Sequence, residues 1–353
     1  MDSLTQATLG AAVAHACWHR PLGRKAIPWG LALGTLPDLD VLASPWLDPV
    51  ENLYWHRGIS HSLWLMALGG LLTGLLVRWL HRRAGLTVRQ AATGGMLIWV
   101  THVAIDLFTV YGTQLLAPFS RHGFATNNLF IIDPAFTVPL LLGLLGALLW
   151  RTPATRFRLN LAGLALASLY VVWSFAAQAR AAAVFERELA RQNLQPTAAG
   201  LTMATPLNTV LWRHLTRVEG GFLIGYWSLA DADERVTFDF VPQLADTPAL
   251  APVRDSRAFA AVDWFSQGWW AVVDPASGRV ADLRFGETRP TRNAPAAAWW
   301  FPFSWRFPPD ATGAPQLSQV PLAFADRGAA LGDLWDRIRG QRPSPESPAQ
   351  PTS

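Results

Sequence analysis

HRGISHSLWLMALGGLLTGLLVRWL, residues 56–80, sets two histidines and an arginine directly before an apolar run that extends from Leu63 to Leu80. That run is close to the roughly 20 residues needed to cross a bilayer. Similar runs follow at Ala91 to Val110, Pro134 to Trp150 and Leu159 to Gln178, and weaker ones precede it at Leu4 to Trp18 and Ile27 to Leu42. The first segment is short and rich in Gly and Ala, so it is expected to be re-entrant or packed against its neighbours through its small residues. The spacing therefore predicts an α-helical polytopic membrane domain of about six helices over residues 1–178.

Composition agrees. Of the 353 residues, 51% are hydrophobic and 15% charged, and mean hydropathy is +0.18, a balance too apolar for an ordinary soluble domain. The net charge of +4 comes from arginines between apolar runs rather than from a basic stripe with stacking aromatics, so nucleic acid is not expected as a partner. The lipid bilayer is. A single cysteine, Cys17, excludes an intramolecular disulfide and a thiolate-rich zinc site. No cleavable signal peptide is expected, because Asp2 stands where a basic cluster would be.

Lys and Arg in short loops mark the cytoplasmic side. His19-Arg20 with Arg24-Lys25, then Arg78, Arg82, Arg83 and Arg89, then Arg151, Arg156 and Arg158 fall in alternate connections. A six-helix arrangement makes all three loops cytoplasmic at once. The intervening loops, Asp2 and everything after Arg180 then face the periplasm.

After Gln178 the pattern changes. A helical connector is expected over 179–200, a small, mainly β extramembrane domain over 201–340, and a Pro- and Ser-rich disordered tail over 341–353. Strands are expected at Leu207 to His214, Gly221 to Leu229, Val236 to Phe240, Trp269 to Val273 and Val280 to Phe285, with a hairpin turn at Asp274 to Gly278 and a closing helix near Ala329 to Arg339. Trp264, Trp269, Trp270, Trp299, Trp300 and Trp305 suit either an interfacial lipid or carbohydrate surface or the core of a small β domain.

The chemistry lies at the ends of the apolar segments, where ionisable groups are costly unless they pair or bind an ion. His102 and Asp106 are i and i+4 on one helix face and can reach a single ion. Asp38 and Asp40 follow Pro37, where an irregular turn lets two carboxylates converge. His56 and His61 flank Gly58, which permits a tight turn, and Ser60 is positioned to cap the helix that begins near His61. The expected divalent-metal ligands are Asp38, Asp40, His56, His61, His102 and Asp106, a nitrogen and oxygen set that suits zinc, with manganese or iron also compatible. Asp40 is the expected catalytic base. Arg57 is expected to bind an anionic group of the substrate or a developing oxyanion, with Tyr111 and Thr113 turning the chain over the site. The chemistry expected is hydrolysis by metal-activated water. A phosphoester or other ester with an amphipathic body is the favoured substrate class. The competing reading is a non-enzymatic membrane protein with a structural or vestigial metal site, whose Trp-rich domain binds a partner or lipid.

The ordered series Asp2 to Gln6 with Leu9-Gly10, Gly34 to Asp40, His56 to Ser62, and Thr101-His102 through Asp106 to Tyr111-Gly112-Thr113 and Pro118-Phe119 resembles the YdjM family of bacterial inner-membrane proteins. The resemblance covers roughly residues 1–150. It implies a polytopic helical fold, a membrane-bound metal-dependent hydrolase, a distant similarity to zinc-dependent phospholipase C proteins, and functional roles for Asp38, Asp40, His56, His61, His102 and Asp106. One position departs: Gln6 stands where many members carry histidine, and glutamine is a poor metal ligand. Asp2, expected on the same side, is a further candidate.

Overall fold

The computed structural model describes residues 1–289, 299–321 and 327–342, so the expected tail from residue 343 onward lies outside the described residues. The chain divides into two compact units, one of residues 1–176 with 204–209, the other of residues 177–203 with the chain from Val210 onward.

The first unit is helical. Its main helices are α1 (Ser3–Leu22), α2 (Ala26–Thr35), α3 (Pro49–Trp55), α4 (Leu63–Leu80), α5 (Val88–Leu107) and α6 (Pro134–Leu149), followed by the 39-residue α7 (Pro153–Arg191), which continues into the second unit. Each of the six apolar segments read from the sequence contains an α-helix here, but the second, Ile27 to Leu42, passes from the 10-residue α2 into a 3₁₀ helix at Leu36. Among the described residues, α4 and α7 are long and apolar enough to cross a membrane, while α6 is apolar but only 16 residues long. α1 and α5 do not qualify, and both carry buried polar groups: Thr5, Gln6, Thr8 and His15 on α1, His102 and Asp106 on α5.

Helix starts follow ordinary capping chemistry. Asp2 accepts from the Thr5 amide to open α1, Ser62 accepts from Leu65 to open α4, and Thr87 with Gln90 forms a reciprocal capping box on α5. The cap of α4 is thus Ser62 rather than Ser60, because Ser60 is held elsewhere by Asp40.

α1 packs against α2, α5 and α6, and its contact with α2 is a backbone approach through glycine. A Cβ on Gly10 would lie 2.6 Å from the Gly34 Cα, and one on Gly34 would lie 2.8 Å from the Gln6 carbonyl oxygen. The small residues of the first segment therefore serve close helix packing, which presents the Gly34 carbonyl to α5. The pair α4 and α5 meets in the same way: a Cβ on Gly70 would lie 2.7 Å from the Met96 Cα.

The second unit holds two four-stranded antiparallel sheets. The first runs β1 (Leu201–Ala204), β2 (Leu211–Val218), β3 (Gly221–Ser228), β4 (Phe238–Pro242), and the second β5 (Trp270–Asp274), β6 (Arg279–Asp282), β7 (Ser304–Arg306), β8 (Ser318–Gln319). The expected hairpin joins β5 and β6, with Gly278 at φ 63° supplying the left-handed residue of the turn. Helix α8 (Arg257–Ser266), which the strand pattern did not anticipate, lies between the sheets in sequence, and α9 (Arg327–Ile338) falls where the closing helix was expected.

Trp269, Trp270, Trp299 and Trp305 are buried, and Trp264 and Trp300 half-buried. Trp305 meets Phe265 and Phe303, and Trp270 meets Phe259, at edge-to-face angles. The tryptophan cluster is chiefly the core of this unit rather than an exposed binding surface, because edge-to-face aromatic packing satisfies these rings internally. Arg213 is buried against Glu287 at 2.8 Å, with Tyr226 donating to the same carboxylate at 2.7 Å, so the charges inside this unit are paired.

Gly10→Val is expected to destabilise the helical unit by about 1–3 kcal/mol through overpacking against α2. A lower thermal midpoint in detergent, measured against an exposed α4 control such as Leu72→Val, checks this.

Candidate metal centre

Five pieces of chain converge at one end of the helical unit: the 3₁₀ helix Leu36–Trp46, the turn His56–Gly58, the 3₁₀ turn Ile59–His61, the end of α5 and the start of α1. Asp38, His61, His102 and Asp106 each offer one ligand atom here, and the four atoms lie within 4.8 Å of one another. The His61 Nε2 is 3.3 Å from Asp38 Oδ1 and 3.2 Å from Asp106 Oδ2, and the His102 Nε2 is 3.5 and 3.6 Å from the same oxygens. The two Nε2 atoms face each other at 3.2 Å.

Hydrogen bonding fixes the tautomers. The His102 Nδ1 lies 2.7 Å from the Gly34 carbonyl oxygen, which only accepts, so Nδ1 carries the proton and Nε2 presents a lone pair. Ser60 uses its one hydroxyl proton on Asp40 Oδ2 at 2.8 Å, so its oxygen accepts from the His61 Nδ1 at 2.8 Å. The His61 Nε2 is therefore also a lone pair in the neutral ring. Asp38 Oδ1 and Asp106 Oδ2 are buried without a hydrogen-bond partner. Four lone pairs thus point at one another in a buried site, and a positive charge among them relieves the repulsion. Burial works against a proton on His61, yet the adjacent Asp106 and Asp38 carboxylates outweigh burial and raise its pKa above the ordinary imidazole value. A divalent cation answers the same demand with two imidazole nitrogens and two carboxylate oxygens, a donor set that fits zinc, manganese or iron.

A second layer holds these groups, as is usual around metal ligands. Asp40 is its hub: Oδ1 lies 3.1 Å from the His56 Nδ1, while Oδ2 accepts from the Arg57 amide at 2.9 Å and from Ser60. Asp40 Oδ2 also lies 3.8 Å from the His61 Nδ1. Asp38 and Asp40 do not converge on one point as expected. The chain after Pro37 continues as a 3₁₀ helix, whose three residues per turn send i and i+2 in different directions. Asp38 joins the four-residue group, whereas Asp40 and His56 lie outside it.

Arg57 also departs from expectation. Its guanidinium is buried, with Nη2 3.0 Å from Asp106 Oδ1, Nη1 donating to Thr109 at 3.1 Å, and Cζ 4.9 Å from the centre of the Tyr111 ring. Those bonds orient Asp106, and a guanidinium so occupied is poorly placed to receive a substrate anion. The tight turn rests on Arg57 too, at φ 53°, while Gly58 has φ −85°. Gly58 is needed for space, since a Cβ there would lie 2.8 Å from the Trp55 carbonyl oxygen. A left-handed arginine is costly and is held by its amide bond to Asp40 and its carbonyl bond from the Gln114 amide at 3.1 Å.

Tyr111 stands edge-on to His56 with ring centres 5.1 Å apart, and Thr113 pairs through its backbone with Phe124. Asp2 caps α1 and bonds Thr5 rather than joining the four-residue group. Gln6 donates to the His102 carbonyl at 3.2 Å, a contact to the backbone of a candidate ligand that sequence reading missed. The Met1 amino group, also unforeseen, is buried in a bond to Asp106 Oδ1. Nothing in spacing or residue type announces either contact, because both depend on how α1 meets α5.

Apolar spans around a buried cluster of imidazoles and carboxylates define a helical membrane-associated domain with a candidate metal centre. The YdjM inner membrane protein family profile matches residues 1–181, just over half the chain, and the protein belongs to that family. No curated protein and no solved structure matches it.

Detergent-purified protein is expected to retain divalent metal after exchange into metal-free buffer, with His61→Ala and His102→Ala each losing most of it and His56→Ala keeping it. Inductively coupled plasma mass spectrometry, with circular dichroism as the folding control, checks all three.

Proposed function

We propose that this protein is a membrane-bound, metal-dependent hydrolase that adds water across an ester or phosphoester bond at the periplasmic membrane face. The observation that carries the reading is the convergence of four donor atoms from Asp38, His61, His102 and Asp106, the two carboxylate oxygens without a hydrogen-bond partner, with a partly exposed histidine, His56, held by the Asp40 that also holds Ser60. Zinc is the metal we assign, and manganese or iron suits the same donors. A cation bound there supplies Lewis acidity and brings the pKa of bound water towards neutrality.

The chain's own groups do the rest. Asp40 is 3% exposed and His56 25%, and because a carboxylate only accepts, the bonded Nδ1 of His56 carries the proton. Its Nε2 is then free to take a proton from the attacking water and return it to the leaving oxygen. Asp40 acts through His56, as a positioning residue. Arg57 orients Asp106 and balances its charge. The hydroxyl of water ends on the acyl or phosphoryl centre and its proton on the leaving group, with no covalent intermediate.

The same reading includes the topology. Six membrane-crossing helices place the three basic loops in the cytoplasm and leave the candidate metal centre and the β-rich region, residues 201–340, on the periplasmic side, with 1–178 as the membrane domain and 179–200 as a connector. What supports it is the family match together with the alternation of the basic loops along the sequence.

Protein in detergent is expected to hydrolyse p-nitrophenyl esters or bis-p-nitrophenyl phosphate, to lose that activity to a chelator and to regain it with zinc or manganese. His56→Gln is expected to lower kcat by about 10²–10⁴-fold with KM and metal content unchanged. Metal-replete wild type that turns over neither probe nor a phospholipid would overturn the proposal.

A further inference from the structure

Beside the candidate metal centre lies an apolar groove of about 430 Å³, lined by Ile59, Trp64, Leu65, Leu68, Pro118 and Phe119. Its size falls in the range of small-molecule sites. The polar group at its wall, the Ser62 hydroxyl, is fully engaged, donating to the Ile59 carbonyl at 2.8 Å and accepting from the Leu65 amide at 3.3 Å. The groove therefore has nothing to offer a head group, and its chemistry suits hydrocarbon.

Two features distinguish it from a bare lipid-facing helix surface. It is built from two segments: the first turns of α4, and the loop Leu115 to Phe119, which is fixed by the Leu63 amide on the Leu115 carbonyl at 2.9 Å and by an edge-to-face contact of Trp64 with Phe119. It is also tied to the candidate metal centre on both sides. Ile59 shares a three-residue 3₁₀ turn with His61, and the loop is anchored just before Leu115 by the Gln114 amide on the Arg57 carbonyl. α4 itself is long and apolar enough to cross a membrane, so its first turns lie where acyl chains meet head groups when that helix spans.

We infer that this groove is an acyl-chain subsite, and that the substrate of the metal centre is a membrane lipid whose chain lies between Trp64, Leu68 and Phe119 while its ester or phosphoester linkage reaches the end of the turn at His61. The inference rests on the hydrolase reading above. It adds a substrate class, acyl lipids over water-soluble esters, and the side chains that select it.

The test uses the full chain in nanodiscs of phosphatidylethanolamine and phosphatidylglycerol containing a phosphatidylethanolamine with a diazirine on one acyl chain, with labelled positions mapped by mass spectrometry after irradiation. Label at Trp64, Leu68 and Phe119 is expected to exceed that at Leu72, Leu76 and Trp79, exposed residues further along α4, by several-fold. Leu68→Trp, which fills the groove, is expected to abolish the excess and raise KM for phospholipid with metal content unchanged. Even labelling along α4, or an excess that survives Leu68→Trp, would overturn the groove. Metal-dependent turnover with even labelling would remove the groove and leave the hydrolase reading standing. Preferential labelling without turnover of any lipid would remove the groove's role as a substrate subsite, and it would remove the hydrolase reading as well where the p-nitrophenyl probes are not turned over either.

Discussion

Mutual repulsion among four buried electron-donor atoms is the constraint around which the candidate metal centre is built. Two imidazole nitrogens and two carboxylate oxygens face one another, an arrangement that costs free energy in a low-dielectric interior and that Arg57 and the Met1 amino group offset only through the far oxygen of Asp106. The surrounding structure keeps it in place. The Gly34 carbonyl sets one imidazole, Ser60 sets the other, and Arg57 holds a carboxylate. The Gly34 carbonyl reaches the site where Gly10 and Gly34 let α1 and α2 approach closely, whereas Ser60 and Arg57 are held there by Asp40.

Asp40 links the inner group to the accessible one. Through one carboxylate it orients His56, fixes Ser60 and so the tautomer of His61, and holds the left-handed backbone of Arg57. A buried carboxylate with that many donors is stable in its ionised form. It is also a single point that orients both the inner imidazole of His61, through Ser60, and the accessible one of His56.

Much of the helical unit was legible. The apolar runs at Leu63 to Leu80 and Pro134 to Trp150 correspond closely to α4 and α6, because continuous apolar length is a strong local signal. The i, i+4 pair His102 and Asp106 does share one face. The β-rich unit was read less well at its strand edges, and α8 was missed, since the aromatic-rich stretch around Trp264 has the composition of a strand while its burial follows a helical face, with Ala258, Ala261, Val262 and Phe265 inward. The tryptophans allowed two readings until burial was known.

By itself the sequence determined the helical character of the first half, the β character of the second, and which imidazoles and carboxylates stood near the ends of apolar segments, because those follow from residue type and short-range spacing. It could not separate Asp38 from Asp40, or His61 from His56, since residues two or five apart are equivalent in composition and differ only in the direction their backbone gives them. Tertiary structure decided that division. A 3₁₀ helix after Pro37 and a left-handed residue at Arg57 aim one member of each pair inward and the other into the supporting layer, and the long-range bonds from Gly34, Gln6 and Gln114 that hold this geometry join segments far apart in the chain.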